Sequence, residues 1–188
     1  MKYSLTFRIW HWLNAIVVLG LLATVFLRKT FLSKHDNANI LIDKLFEMGI
    51  EISDKQGVVL AKAIRSVMWE WHIILGYALA FLVLYRIYLY FFDKSQKVDF
   101  SSLDLHHKVV KLSYYIVYVV LFFLAVSGLV IYFYNDLGMS KDFAHTIKEL
   151  HELIYQVILY FTPLHVAGVF MADAKDENGL VSSMIHGK

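Results

Sequence analysis

Four long apolar runs decide what this chain can fold into. They cover His11 to Leu27, Ile73 to Phe92, Leu112 to Tyr134 and Leu153 to Ala172, and within them Arg86 is the only formally charged residue. Each has, or nearly has, the roughly 20 residues a helix needs to cross the hydrocarbon core. Interior strands would be shorter and bounded by turn residues, which these runs lack. A soluble fold of 188 residues with 59% hydrophobic and only 18% charged residues would have no interior large enough for its Phe, Tyr, Leu and Val. Soluble domains carry about 25% charged residues. The expected fold is therefore an all-α, integral membrane four-helix bundle. Its spans lie at about 10–27, 71–92, 112–134 and 151–172, in a single domain over residues 1–188.

The first run follows Lys2 and Arg8 but shows no small-x-small cleavage site, so it reads as a retained helix rather than a signal peptide. The connection over 28–70 is long and polar, whereas 93–111 and 135–150 are short. Two amphipathic stretches in the long connection, Asn39 to Ile50 and Gly57 to Trp71, are expected as short helices at the interface or over the bundle. An even number of spans puts both termini on one side, here called side A. Basic residues are shared evenly between A (Lys2, Arg8, Lys94, Lys97, Lys108, Lys111, Lys175, Lys188) and the opposite side B, so charge does not orient the chain. A net charge of +2 without a basic stripe gives no sign of nucleic acid as a partner, and none is expected. The absence of cysteine excludes disulfides, thiolate metal sites and covalent c-type haem.

Depth sorts the nine histidines. His11 begins the first span on side A, and His72 begins the second on side B. His151 begins the fourth span on side B, and His165 lies fourteen residues later, near side A. Fourteen residues at about 100° each return within roughly 40° of the starting direction and advance about 21 Å, so the two share one helical face. Matching depths pairs His11 with His165 and His72 with His151. Two bis-imidazole sites stacked across a bundle are the pattern for two non-covalent haems b, because two axial imidazoles favour electron transfer over oxygen binding. Zinc fits less well, since each pair lacks a third and fourth ligand.

Other residues fall around these pairs. Gly76, one turn past His72, and Gly168, three residues past His165, make room for a flat macrocycle or for helix packing. Arg86 lies fourteen residues after His72, near side A, where it can pair with haem propionates or snorkel to headgroups. Pro163 should loosen the last span just before His165. Glu70, Glu149, Glu152, His106 and His107 are candidates for proton handling beside a quinone. His35 and His186 read as loop residues, and His145 as intermediate.

The stretches "FRIWHWLNAIVVLGLL", "WHIILGYALAFLVLYRIYLYF", "LHELIYQVILYFTPLHVAGV" and the ending "ENGLVSSMIHGK" together resemble the bacterial cytochrome b561-like superfamily. The likeness is strongest to the b-type membrane subunit of nickel–iron hydrogenases. It covers nearly the whole chain except the 28–70 connection, which is longer than in compact members. The resemblance implies a dihaem cytochrome b of the bacterial inner membrane with both termini cytoplasmic. It assigns His11, His72, His151 and His165 as axial ligands and Arg86 as the basic residue late in the second helix. It implies electron exchange between the membrane quinone pool and a dehydrogenase or periplasmic redox protein, a nickel–iron hydrogenase among them. Oligomeric state is open, a homo-oligomer included. The competing classes are a haem-free membrane anchor and a small transporter, and colour separates haem binding from both. Without cysteine, all haem should be extractable by acid–acetone, and haem surviving extraction would contradict this reading.

Overall fold

The computed structural model describes residues 3–93, 101, 103–175 and 179–187. Lys2, Lys94, Lys97 and Lys188 from the charge comparison, and Glu177 and Asn178 of the terminal motif, lie outside them. The described residues form helices and no strand: α1 (Leu5–Lys29), α2 (Lys34–Glu47), α3 (Asp54–Phe92), α4 (Leu105–Phe133), α5 (Lys141–Lys175) and α6 (Leu180–Ile185). Four of them, α1, α3, α4 and α5, are long and apolar enough to cross a membrane. The all-α fold with four spanning helices is thus the one the sequence predicts.

Local chemistry sets the helix ends. Ser4 Oγ accepts the Phe7 N–H at 3.2 Å at the start of α1, and Ser140 Oγ does the same for Phe143 at 3.2 Å at the start of α5. The start of α3 is a capping box: Gln56 Oε1 accepts the Ser53 N–H at 2.8 Å, and Ser53 Oγ accepts the Gln56 N–H at 3.4 Å. α2 ends in a Schellman turn, with Gly49 N–H donating to Phe46 and Ile50 N–H to Leu45. Gly49 takes the φ of +79° that this motif requires.

The second amphipathic stretch differs from expectation. Residues 57–71 do not form a separate surface helix but continue without a break into the second span, giving an α3 of 39 residues. At 1.5 Å per residue this is about 58 Å, nearly twice the thickness of the hydrocarbon core. The capping box starts the helix at Asp54, and Val58 to Leu75 contain neither Gly nor Pro to stop it. Similarly, α5 continues as one helix past Pro163, which leaves the Leu159 carbonyl without its i+4 donor, and Thr162 Oγ donates to the preceding carbonyl, Ile158 O, at 2.8 Å.

The chain divides into two compact units, Met1–Ile16 with Tyr77–Lys188, and Val17–Gly76. In the second unit α2 lies close against the start of α3. Ala38 and Ala61 are 2% and 0% exposed, and a Cβ on Gly57 would sit 2.8 Å from Ile42 and 3.3 Å from the Ala38 carbonyl. Small side chains allow this close approach.

In the first unit α4 and α5 pack as an antiparallel hairpin, its turn set by Gly138 at φ +66°. Leu121, Leu124, Ala125 and Ile158 are buried there, as are Leu82 and Leu89 of α3. The short α6 folds back. Its Val181 N–H donates to Asp173 of α5, while its Met184 and Ile185 carbonyls accept from Trp12 and Arg8 of α1. Phe81, Leu84, Val119, Leu153, Leu164 and Phe170 remain exposed, as lipid-facing side chains of a spanning helix must be, and the chain is an integral membrane protein. We expect Gly57→Leu to overpack the α2–α3 contact and destabilise by about 1–3 kcal/mol. Gly57→Ala should cost far less, since Ile42 can rotate and alanine favours the helix. Thermal unfolding in detergent separates the two, and equal midpoints would show that the contact is not tight.

Candidate functional site

The first unit brings His11 of α1 and His165 of α5 side by side, edge towards face, with ring centroids 6.2 Å apart and planes at 62°. His165 stacks on Phe161 at 5.3 Å and meets the edge of Tyr114 at 5.8 Å. Phe7, one turn before His11, lies 6.5 Å from it. These two imidazoles are therefore oriented by aromatic packing, and neither ring makes a hydrogen bond among the described residues. A metal ion bound by one nitrogen of each ring would set the centroids roughly 6 Å apart, so at this separation His11 and His165 could hold one group between them.

Arg86 joins this end of the unit. Its guanidinium carbon lies 5.2 Å from the Phe7 ring, 5.3 Å from Trp10 and 4.6 Å from Tyr118, an aromatic box that offsets part of the cost of a cation in an apolar setting. Trp10 is held in turn by its indole N–H, which donates to Leu82 O at 2.8 Å. Arg86 Nη2 donates to the Tyr118 hydroxyl at 3.5 Å, but Nε and Nη1 are buried with no hydrogen-bond partner. Such orphaned donors are costly and call for an anion or another acceptor. A half-open cavity of about 240 Å³ adjoins the box, walled by Val83, Ile87, Val119 and Phe122.

His151 sits in the same unit with a different environment. Its Nδ1 is 2.8 Å from Ser127 Oγ of α4, and a Cβ on neighbouring Gly128 would approach its Cε1 to 3.6 Å. In the other unit, His72 Nδ1 is 2.7 Å from Thr24 Oγ1 of α1, and Trp69 meets the His72 ring edge-on at 5.4 Å. Gly76 and Gly168 have open space where a Cβ would stand. Thr24 and Ser127 are the residues that sequence reading missed. The available signal was a lone hydroxyl in an apolar run at the depth of a histidine.

The remaining candidates lie toward water. His106, His107, Glu70 and Glu149 are exposed. His145 Nδ1 lies 3.7 Å from Glu149 at i,i+4, and Lys148 and Glu152 make an i,i+4 ion pair at 3.7 Å. His107 hydrogen-bonds Asp104, which holds that carboxyl below its usual range. Its stabilising effect is present above the ordinary carboxylate pKa and is lost as pH falls through the lowered one. Among the described residues no three His, Cys, Asp or Glu side chains gather as a metal cluster.

Comparison with curated proteins and with solved structures gives no match. The family described as prokaryotic cytochrome b561 matches residues 2–187, almost the whole of this histidine-bearing helical framework, and the chain accordingly belongs to that family of haem b-binding membrane cytochromes that transfer electrons.

Proposed function

We propose that the chain carries electrons across the bacterial inner membrane through two b haems, one held by His11 and His165 and the other by His72 and His151. The separation of the His11 and His165 rings is the observation that carries this reading. The second pairing rests on the matched depths of His72 and His151 in the antiparallel order of spans. A haem held by two imidazoles supplies reversible one-electron chemistry.

The protein's own residues bind and orient. Aromatic rings fix the angle of His165, and hydroxyls hold His72 and His151. Arg86 offers its two unpartnered nitrogens, Nε and Nη1, to a propionate, where a fixed cation also favours the reduced state. Gly76 leaves a macrocycle room beside His72. On this reading both termini are cytoplasmic. A dehydrogenase or periplasmic redox protein, a nickel–iron hydrogenase among them, docks on the side of the 28–70 connection, and electrons are exchanged with membrane quinone.

Pyridine haemochrome assay of purified protein should give two haems per chain. His11→Ala and His165→Ala should remove one spectral component, and His72→Ala and His151→Ala the other. A stoichiometry of one, or the same component lost in His11→Ala and His72→Ala, would overturn the pairing. Arg86→Gln should weaken retention of the His11/His165 haem by about 10–100-fold, the range for residues that support a ligand shell, and lower its midpoint potential, with the second haem unaffected. A C-terminal reporter active only in the cytoplasm tests the orientation, and activity of a periplasm-only reporter would reverse it.

A further inference from the structure

Two buried hydroxyls stand beside two of the four histidines, and proton counting fixes what they do. Thr24 is 6% exposed and Ser127 is 3% exposed. Each has one hydroxyl proton. Thr24 Oγ1 donates to Leu21 O at 2.6 Å, and Ser127 Oγ donates to Phe123 O at 2.7 Å. With that proton engaged in its own helix, each oxygen can only accept from the imidazole it touches. His72 and His151 must then carry their proton on Nδ1, 2.7 and 2.8 Å from the respective oxygens. The lone pair of each ring is thereby on Nε2, the nitrogen directed away from the hydroxyl. The same device recurs in two different units, on different helices, for two histidines that the sequence pairs by depth. His11 and His165 have no such partner among the described residues.

We infer that Thr24 and Ser127 are positioning residues for one haem site only, locking His72 and His151 in the Nδ1–H tautomer and making that site the lower-potential member of the pair. The inference rests on the axial ligand assignment proposed above. An acceptor on Nδ1–H draws the proton away and makes Nε2 a stronger donor, which favours the oxidised metal. Each hydroxyl is polarised by its own donation to a carbonyl, which makes it a better acceptor. The His11/His165 rings, held by aromatic packing, receive no such push from any described residue. Electrons arriving on side B then pass downhill toward side A, so the direction of transfer is written into two hydroxyl groups.

The test uses the intact holoprotein in detergent, with Thr24→Val, Ser127→Ala and the double variant, followed by spectroelectrochemical titration and low-temperature EPR. Two waves are expected in the unaltered protein, and His72→Ala should abolish the lower one. Thr24→Val and Ser127→Ala should each raise the lower wave, the double variant should raise it further, and the upper wave should stay in place. The ferric EPR signal of the lower component should change as its ring is released. Thr24→Ser and Ser127→Thr should restore both readouts. Selective loss of that one haem, restored by the conservative variants, also supports the positioning role. Unmoved waves, a shift of both, or loss of both haems overturns it, as does assignment of the lower wave to His11 and His165. If His72→Ala and His151→Ala remove different components, the ligand assignment itself has failed, an outcome distinguishable from failure of the hydroxyl role.

Discussion

The hydrocarbon core offers no water to a polar atom, and the polar atoms of the spans are arranged around that fact. A helix satisfies its own backbone, so the load falls on the few side chains that are not apolar. Trp10 passes its indole proton to a carbonyl of α3. Thr24, Ser127 and Thr162 each return a proton to a carbonyl of their own helix. Among the described residues Arg86 has no carboxylate counter-ion, and it lies instead among three aromatic rings. Against that background the two unpartnered guanidinium nitrogens of Arg86 and an imidazole pair with centroids 6.2 Å apart are conspicuous. With the buried, unpartnered Asn14 Oδ1 and Arg8 Nε, they are among the polar features of the described residues that helix and lipid alone do not account for.

That contrast explains how much of the molecule is legible in its sequence. Four spans follow from length and apolarity, because hydrocarbon thickness is a hard constraint. The approach of His11 to His165 follows from depth alone, since antiparallel spans bring the start of one helix level with the end of another. The position of Arg86 near the His11 end follows from the same counting. It failed for 57–71, where an amphipathic pattern suggested a surface helix of its own. Periodicity reports which faces are apolar, not where a helix stops, and only a breaking residue could have divided α3.

Thr24 and Ser127 were illegible for another reason. One hydroxyl in an apolar run has no period, and hydroxyls that merely bond back to their own helix are common. Their significance comes from a tertiary neighbour at 2.7 or 2.8 Å, a relation that sequence spacing does not contain. The α6 contacts are of the same kind: Arg8 reaches the carbonyl of Ile185 across 177 positions of sequence. Local signals found the helices, and long-range hydrogen bonds give the histidine environments their differences.

The unbroken first half of α3 carries a mechanical consequence. Between Gly57 and Gly76 the helix contains no glycine or proline, the usual places where a helix bends sharply. Its start is anchored by the Ser53–Gln56 box and by close packing against α2, and His72 lies on the same stiff rod, about 27 Å along the axis from Asp54. A rod of this kind transmits torque. Any load that rolls or tilts its outer end turns the imidazole through a comparable angle, because no joint intervenes to absorb the motion.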